Sequence, residues 1–248
     1  MDAARKALRS AIEDIIVRPG QILEGIYSSQ EDGFFDVENV VIYNIETATF
    51  GNSGRNGLRA RRSRSFSEAS GQGYPHKLDY RLIPTPNVPS NPAAHIQFEP
   101  THFRSVFDVW WAASNGRPIV TGSLSGRFGL YVEFSSHVLP SNPARKMKIL
   151  FDGLIAAFQR DAEPDPEVVR RLAMKHGVDP DDLRARFLKP ICLTIEPSRA
   201  SALVRTYGAN VQWNPADDLC EECTLVVTEK PITLCDAYIY VLSETTCG

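Results

Sequence analysis

Apolar residues recur at helical spacing at the start of the chain, through Leu8, Ala11, Ile12, Ile15 and Ile16, and Arg18-Pro19-Gly20 stops the pattern. Gln21 to Tyr27 reads as extended and leads to a turn at Gln30-Glu31-Asp32-Gly33. Val37 to Ile45 is rich in β-branched and aromatic residues and predicts a strand. The pattern breaks over residues 51–73, where Gly, Ser and Arg dominate, and a long loop or ragged hairpin tip is expected. Tyr80 to Ile83 resumes the extended pattern. The proline-rich PTPNVPSNP, residues 84–92, reads as a stiff connector and an internal boundary.

Further strands are predicted at His95–Phe98, Phe107–Ala112, Ile119–Ser123 and Phe128–Ser135. Ala144 to Phe158 then places Met147, Leu150, Phe151, Leu154, Ile155 and Phe158 on one helical face. Asp165-Pro166-Glu167 and Asp179-Pro180-Asp181-Asp182 each open another helix with an N-cap, a first-position proline and acids in the first turn; Gly177 separates them. Thr224–Thr228 and Ala237–Leu242 close the chain as a pair of strands around Lys230-Pro231. The expected fold class is α/β, or α+β, with a mixed sheet. Residues 1–92 form a β-rich N-terminal region, and 93–248 an α/β domain with a helical insertion at about 162–210.

Composition narrows the functional classes. The 248 residues are 43% hydrophobic and 23% charged, which suits a globular chain. Twenty-seven Lys and Arg face 30 Asp and Glu, for a net charge of −3, so a basic coat over the whole surface is excluded while a local patch is not. No apolar run reaches membrane-helix length, and the charged N-terminus lacks a signal-peptide core. A soluble, cytoplasmic protein without a membrane partner is expected.

The order of motifs from residue 128 onward is distinctive. The strand FGLYVEF runs into the loop SSHVLPSNPAR, followed by a helix carrying Lys148 and Phe151-Asp152-Gly153-Leu154. Then come Trp213-Asn214-Pro215-Ala216-Asp217-Asp218-Leu219 and the closing strands. Residues 128–161 and 211–244 resemble the RusA-type Holliday junction resolvases, small dimeric α/β endonucleases. Their pattern is a strand, a loop with Asp-x-Asp-Asn, a helix with a lysine and Asp-Ala-Leu, a Trp-x-Asp-Asp turn and a final hairpin. The resemblance implies a homodimer and a Mg²⁺ site built from the two loop aspartates and one acid of the later turn. Anchored on Phe151–Leu154, those loop positions hold Asn142 and Ala144. Only Asp217 or Asp218 remains, with Lys148. One carboxylate and a neutral amide make a poor Mg²⁺ site, so cleavage is expected to be lost.

Other residues carry weaker chemistry. Arg55, Arg59, Arg61, Arg62 and Arg64 on a flexible loop would track a nucleic-acid backbone, with Arg145 and Lys146 beside them; a solvated loop is the plain alternative. Cys220-Glu-Glu-Cys223 has a metal-binding bite, and Cys247 could return to it as a zinc ligand, whereas Cys235 would lie at the far end of the expected hairpin. Ordinary buried thiols are the alternative. The helix pair 166–176 and 180–188 has helix-turn-helix brevity, though acids crowd the second helix. Nucleophile elbows, phosphate loops and zinc-type histidine spacing are absent from the sequence.

The expected function is therefore non-catalytic binding of nucleic acid or of a protein partner on a resolvase-like scaffold, with no cofactor. The rival expectation is a Mg²⁺-dependent structure-selective endonuclease using Asp217, Asp218, Lys148 and a further acid such as Glu133. A third is an assembly subunit without nucleic acid.

Overall fold

A computed structural model describes residues 2–29, 36–63, 76–99, 103–120, 122, 124, 126–137, 142–159, 164–188, 195, 202–229 and 234–242. Arg64, Cys247 and the turn at 30–33 lie outside these residues. The fold is α/β, built on one eight-stranded mixed sheet. Helix α1 (Asp2–Glu13) precedes β1 (Gln21–Ser29), β2 (Gly57–Ser63), β3 (His76–Pro84) and β4 (Ala94–Phe98). Helix α2 (Val106–Ser114), β5 (Arg117–Val120), β6 (Phe128–Ser135) and the long α3 (Ala144–Phe158) follow. The chain ends with α4 (Pro166–His176), α5 (Pro180–Leu188), β7 (Val204–Tyr207), β8 (Asn210–Trp213), β9 (Cys220–Thr228) and β10 (Cys235–Val241). Among the described residues, no helix is long and apolar enough to cross a membrane.

The strand order is β3-β1-β2-β9-β6-β10-β4-β5, with β7 and β8 forming a separate hairpin. Two neighbouring pairs are parallel, β1 with β2 and β6 with β9. A parallel pair needs a crossover connection, and both crossovers carry helical structure. The first crossover holds a π-helix at Asn39–Tyr43 and a 3-10 turn at Thr47–Phe50. The second holds α3, α4, α5 and the β7–β8 hairpin. Strands β2 and β9 pair antiparallel between them. The sheet therefore runs unbroken across the boundary expected at residue 92, since β2 pairs directly with β9.

Four sequence expectations change here. Val37–Ile45 is helical, because Val37, Glu38, Val41, Ile42 and Ile45 are buried together at helical spacing; that packing outweighs the local β-propensity. Phe107–Ala112 is helix α2, opened by Ser105, whose hydroxyl accepts from Asp108 N–H while the Asp108 carboxylate accepts from Ser105 N–H. The expected loop at 51–73 contains β2, whose alternating pattern from Gly57 to Ser63 pairs with β1 and β9. Finally, β9 and β10 do not form a hairpin, because β6 lies between them and pairs with both.

The core sits between the sheet and the helices. Leu130, Val132 and Phe134 of β6, Leu225 of β9 and Ile239 of β10 meet Phe151, Leu154 and Phe158 of α3 in one buried cluster. Helix α2 approaches α3 closely because residue 153 has no side chain: a Cβ on Gly153 would lie 2.5 Å from Val109 Cβ. Gly25 plays the same part for the π-helix, where a Cβ would lie 2.2 Å from Val41.

Candidate metal centre

The two crossovers meet over the sheet and bring together four acids and a lysine. Asp36 stands at the mouth of the first crossover and caps its helical turn, accepting from Asn39 N–H at 3.2 Å and from the Asn39 side-chain amide. Val37, Val41 and Ile42 pull this turn into the core, and Glu38 is carried inward with them to 1% exposure. Lys148 and Asp152 lie one turn apart on α3 and therefore share a face. Asp217 opens a 3-10 turn at Asp217–Leu219, which is anchored where Ala216 N–H donates to the buried Gln159 Oε1 at 2.8 Å.

One carboxylate oxygen from each of Asp36, Asp152 and Asp217 lies within 4.8 Å of the others. The Lys148 ammonium is 2.6 Å from Asp36, 3.1 Å from Asp152, and 3.8 Å from both Glu38 and Asp217. Its backbone N–H donates to Tyr43 Oη at 3.3 Å, fixing the π-helix against α3. Glu38 Oε1 is buried and accepts no hydrogen bond. On the other side of Glu38, the Cys223 thiol reaches Oε2 at 3.9 Å.

Burial and like charge set the protonation of this group. Burial, followed by the neighbouring Asp36, pushes Glu38 well above the usual carboxylate range. Burial also pushes Asp36 up, but the hydrogen bond with Glu38 and the charge of Lys148 outweigh it and hold Asp36 below its ordinary value. A protonated Glu38 donating to an ionised Asp36 accounts for both directions. Burial, only partly offset by Lys148, raises Asp152 to about 6. Burial, with the charges of Asp36 and Asp152 added, raises Asp217 to about 7. Burial alone would weaken the Lys148 ammonium, yet Asp152, Glu38 and Asp36 reverse that and raise its pKa.

The donor set fits a hard divalent cation. Mg²⁺, Mn²⁺ and Ca²⁺ take carboxylate oxygens and water, and one lysine is too little charge for four close acids. Cation binding would displace the proton that Asp217 holds below about pH 7 and Asp152 below about pH 6.

The site residues expected from sequence divide sharply. Asp217 and Lys148 join the cluster; Asp218 is half-buried and lies outside the triad. Glu133 is on β6, opposite Asp236 and Val226, and is not among the clustered acids. The arginine run is not a free basic loop. Arg59 binds Glu222 at 2.7 Å and Glu24 at 3.4 Å, and Arg61 reaches Glu24 at 3.5 Å. Arg55 donates to Val17 O at 2.7 Å, and Arg62 is buried. Lys146 donates to Phe103 O at 2.6 Å, while Arg145 is exposed. Cys220 and Cys223 are buried thiols 3.5 Å apart on β9, and Cys235 begins β10. Among the described residues, the Asp36, Asp152 and Asp217 group is the one with three metal-type donors in reach of a single ion.

Sequence reasoning missed Asp36 and Asp152 as candidate ligands, and Glu38 beside them. A signal was present: Asp36-Val37-Glu38-Asn39 is Asp-x-Glu-Asn, one methylene from the Asp-x-Asp-Asn loop of the resolvase pattern, but far upstream of the helix it would be sought beside. Asp152 was visible as part of a motif without a role. Comparisons with protein-family models, with curated proteins and with solved structures find no match to this chain.

Proposed function

We propose that this protein is a divalent-cation-dependent phosphodiesterase that cuts DNA. The observation that carries the reading is the convergence of Asp36, Asp152 and Asp217 within 4.8 Å around the Lys148 ammonium. The loss of cleavage expected from sequence rested on Asn142 and Ala144 standing where ligands were sought. Asp36 and Asp152 supply carboxylates from other positions, so that objection is weakened.

Asp36, Asp152 and Asp217 would hold the cation, with Glu38 beside them. A bound divalent cation would polarise a phosphoryl oxygen and acidify water. Lys148 keeps its proton and places a second positive charge in the same pocket, suited to a phosphodiester whose negative charge grows during attack. Glu38, held neutral, keeps Asp36 ionised and oriented through their hydrogen bond. DNA as the substrate class rests on the resemblance to the RusA-type resolvases.

Non-catalytic binding through the arginine run has less support, because Arg59 and Arg61 are engaged by buried carboxylates. The test is incubation of the pure protein with four-way junction, linear duplex and single-stranded DNA, with Mg²⁺ or Mn²⁺ and with chelator. The reading expects strand cleavage that requires the cation and disappears in Asp217→Asn and Lys148→Met. Absence of cleavage on every substrate with either cation would refute it.

A further inference from the structure

The β7–β8 hairpin has two unlike faces. Its register pairs Val204 with Trp213, Arg205 with Gln212, Thr206 with Val211 and Tyr207 with Asn210. Directly opposite residues share a face, so Val204, Thr206, Val211 and Trp213 form one side. Val204 is buried, and Val211 and Trp213 pack against the core. Trp213 lies 5.5 Å from Trp110 and 6.0 Å from Phe187, ring centre to ring centre. The other side carries Arg205, Tyr207, Asn210 and Gln212, all exposed, with Tyr207 at 69%. Arg205 Nε donates to Gln212 Oε1 at 3.1 Å, so the two heads lie together on that side.

The hairpin is braced for a load. Gly208 turns it with φ +56 at the first central position, and Arg171 on α4 donates to Gly208 O at 2.7 Å. Asn214 N–H donates to Leu203 O at 2.8 Å and closes the base. The next residues, Pro215 and Ala216, lead straight to Asp217, so the base of the ribbon adjoins the candidate metal centre along the chain.

This exposed face of one guanidinium, one phenol and two carboxamides matches nucleic-acid chemistry. Carboxamides read adenine edges, guanidinium reads guanine or phosphate, and a tyrosine ring contacts bases. Residues 202–214 contain no Asp or Glu, in a chain of net charge −3, so this arm presents no acid to a polyanion. The major groove of B-form DNA admits a two-stranded ribbon of this kind.

We infer that the β7–β8 hairpin enters the major groove of duplex DNA beside the bond presented to the metal centre, with Arg205, Tyr207, Asn210 and Gln212 as its contacts. This rests on the DNA-cutting reading for its substrate, but the contact itself needs no metal. The A-form major groove is too deep and narrow to be read this way, so duplex RNA is a poor occupant.

The test measures anisotropy of a labelled short DNA duplex in chelator, where no cation is available and the carboxylates take no part. The wild type is compared with Arg205→Ala/Tyr207→Ala, Asn210→Ala/Gln212→Ala and Tyr207→Phe, each confirmed folded by circular dichroism. Each double variant is expected to weaken binding roughly tenfold or more, Tyr207→Phe to stay near wild type, and duplex RNA to bind more weakly than DNA. Wild-type affinity in both double variants, equal affinity for duplex RNA, or no duplex binding by the wild type would each overturn the inference. Loss of cleavage with hairpin-dependent binding intact would instead count against the metal reading and leave this one standing.

Discussion

Asp36 and Asp217 come from opposite ends of the chain, yet their carboxylates lie within 4.8 Å of each other, with Lys148 2.6 Å from the first and 3.8 Å from the second. Each acid rides on a different crossover. The two parallel pairs, β1–β2 and β6–β9, place those crossovers side by side over the sheet. The candidate centre is therefore a product of topology. Local sequence around Asp36 predicts a strand, and its Asp-x-Glu-Asn run stands far upstream of the helix beside which ligands would be sought.

Without a cation, stability should fall as pH rises. Asp152 and Asp217 titrate in the fold at about 6 and about 7, above their ordinary value of 3.8. The native state then binds more protons than the unfolded state between these limits, so stability is fullest below about pH 4 for these groups and is lost as pH rises through 6 and 7. Urea unfolding at pH 5 and pH 8 in chelator should show this loss from the pair, reduced in Asp152→Asn/Asp217→Asn. Adding Mn²⁺ should restore stability at pH 8 more than at pH 5, because the cation binds the ionised acids. An unchanged pH slope in the double variant would contradict the protonation account.

Lys148→Met should destabilise the protein by about 1–3 kcal/mol. Removing one partner of a buried ion pair leaves carboxylates uncompensated, and the side chain's 30% exposure moderates the cost. Combining it with Asp152→Asn should cost less than the sum of the single changes, because the two residues interact at 3.1 Å. Additive losses in denaturant unfolding would show that the pair is not coupled.

Gly153→Val should destabilise by about 1–3 kcal/mol or more through overpacking, since even a Cβ would meet Val109 Cβ at 2.5 Å. Val109→Ala in the same chain should recover part of that loss. A neutral Gly153→Val variant in thermal unfolding would mean that α2 and α3 do not pack as described.

Arg59→Ala should act on stability more than on DNA affinity. It strips the charged partner from buried Glu222, while Glu24 keeps Arg81 at 2.6 Å and Arg61 at 3.5 Å, at a cost of about 2 kcal/mol. Arg55→Ala, whose head meets only a backbone carbonyl among the contacts described, should cost less. Thermal melting paired with duplex-binding measurements separates the two effects. A stable Arg59→Ala protein with sharply weaker DNA binding would return the arginine run to the interface.

The fold class, the amphipathic α3 and the capped α4 and α5 were legible in the sequence, because their signals are local: apolar spacing, N-caps, a terminal glycine. Val37–Ile45 and Phe107–Ala112 misled because β-branched and aromatic residues serve equally in a buried helical turn, and the deciding partner, α3, lies about a hundred residues beyond the first and on the far side of β5 and β6 from the second. The arginine run misled for a related reason. Five arginines read as a loop until Glu24 and Glu222 arrive from neighbouring strands to pair with Arg59 and Arg61. Of the centre, Lys148 and Asp217 were visible through their motifs. Asp36 and Glu38 needed the crossover, and no spacing rule connects residue 36 to residue 148.

The central claim is that these carboxylates bind a divalent cation, and calorimetric titration of Mn²⁺ at pH 6.5, where Asp217 still holds much of its proton, tests it most directly. The account expects saturable binding to the wild type, proton release revealed by buffers of different ionisation enthalpy, and affinity at least about tenfold weaker in Asp36→Asn and in Asp217→Asn. No saturable binding, or affinity unchanged by both substitutions, would contradict it.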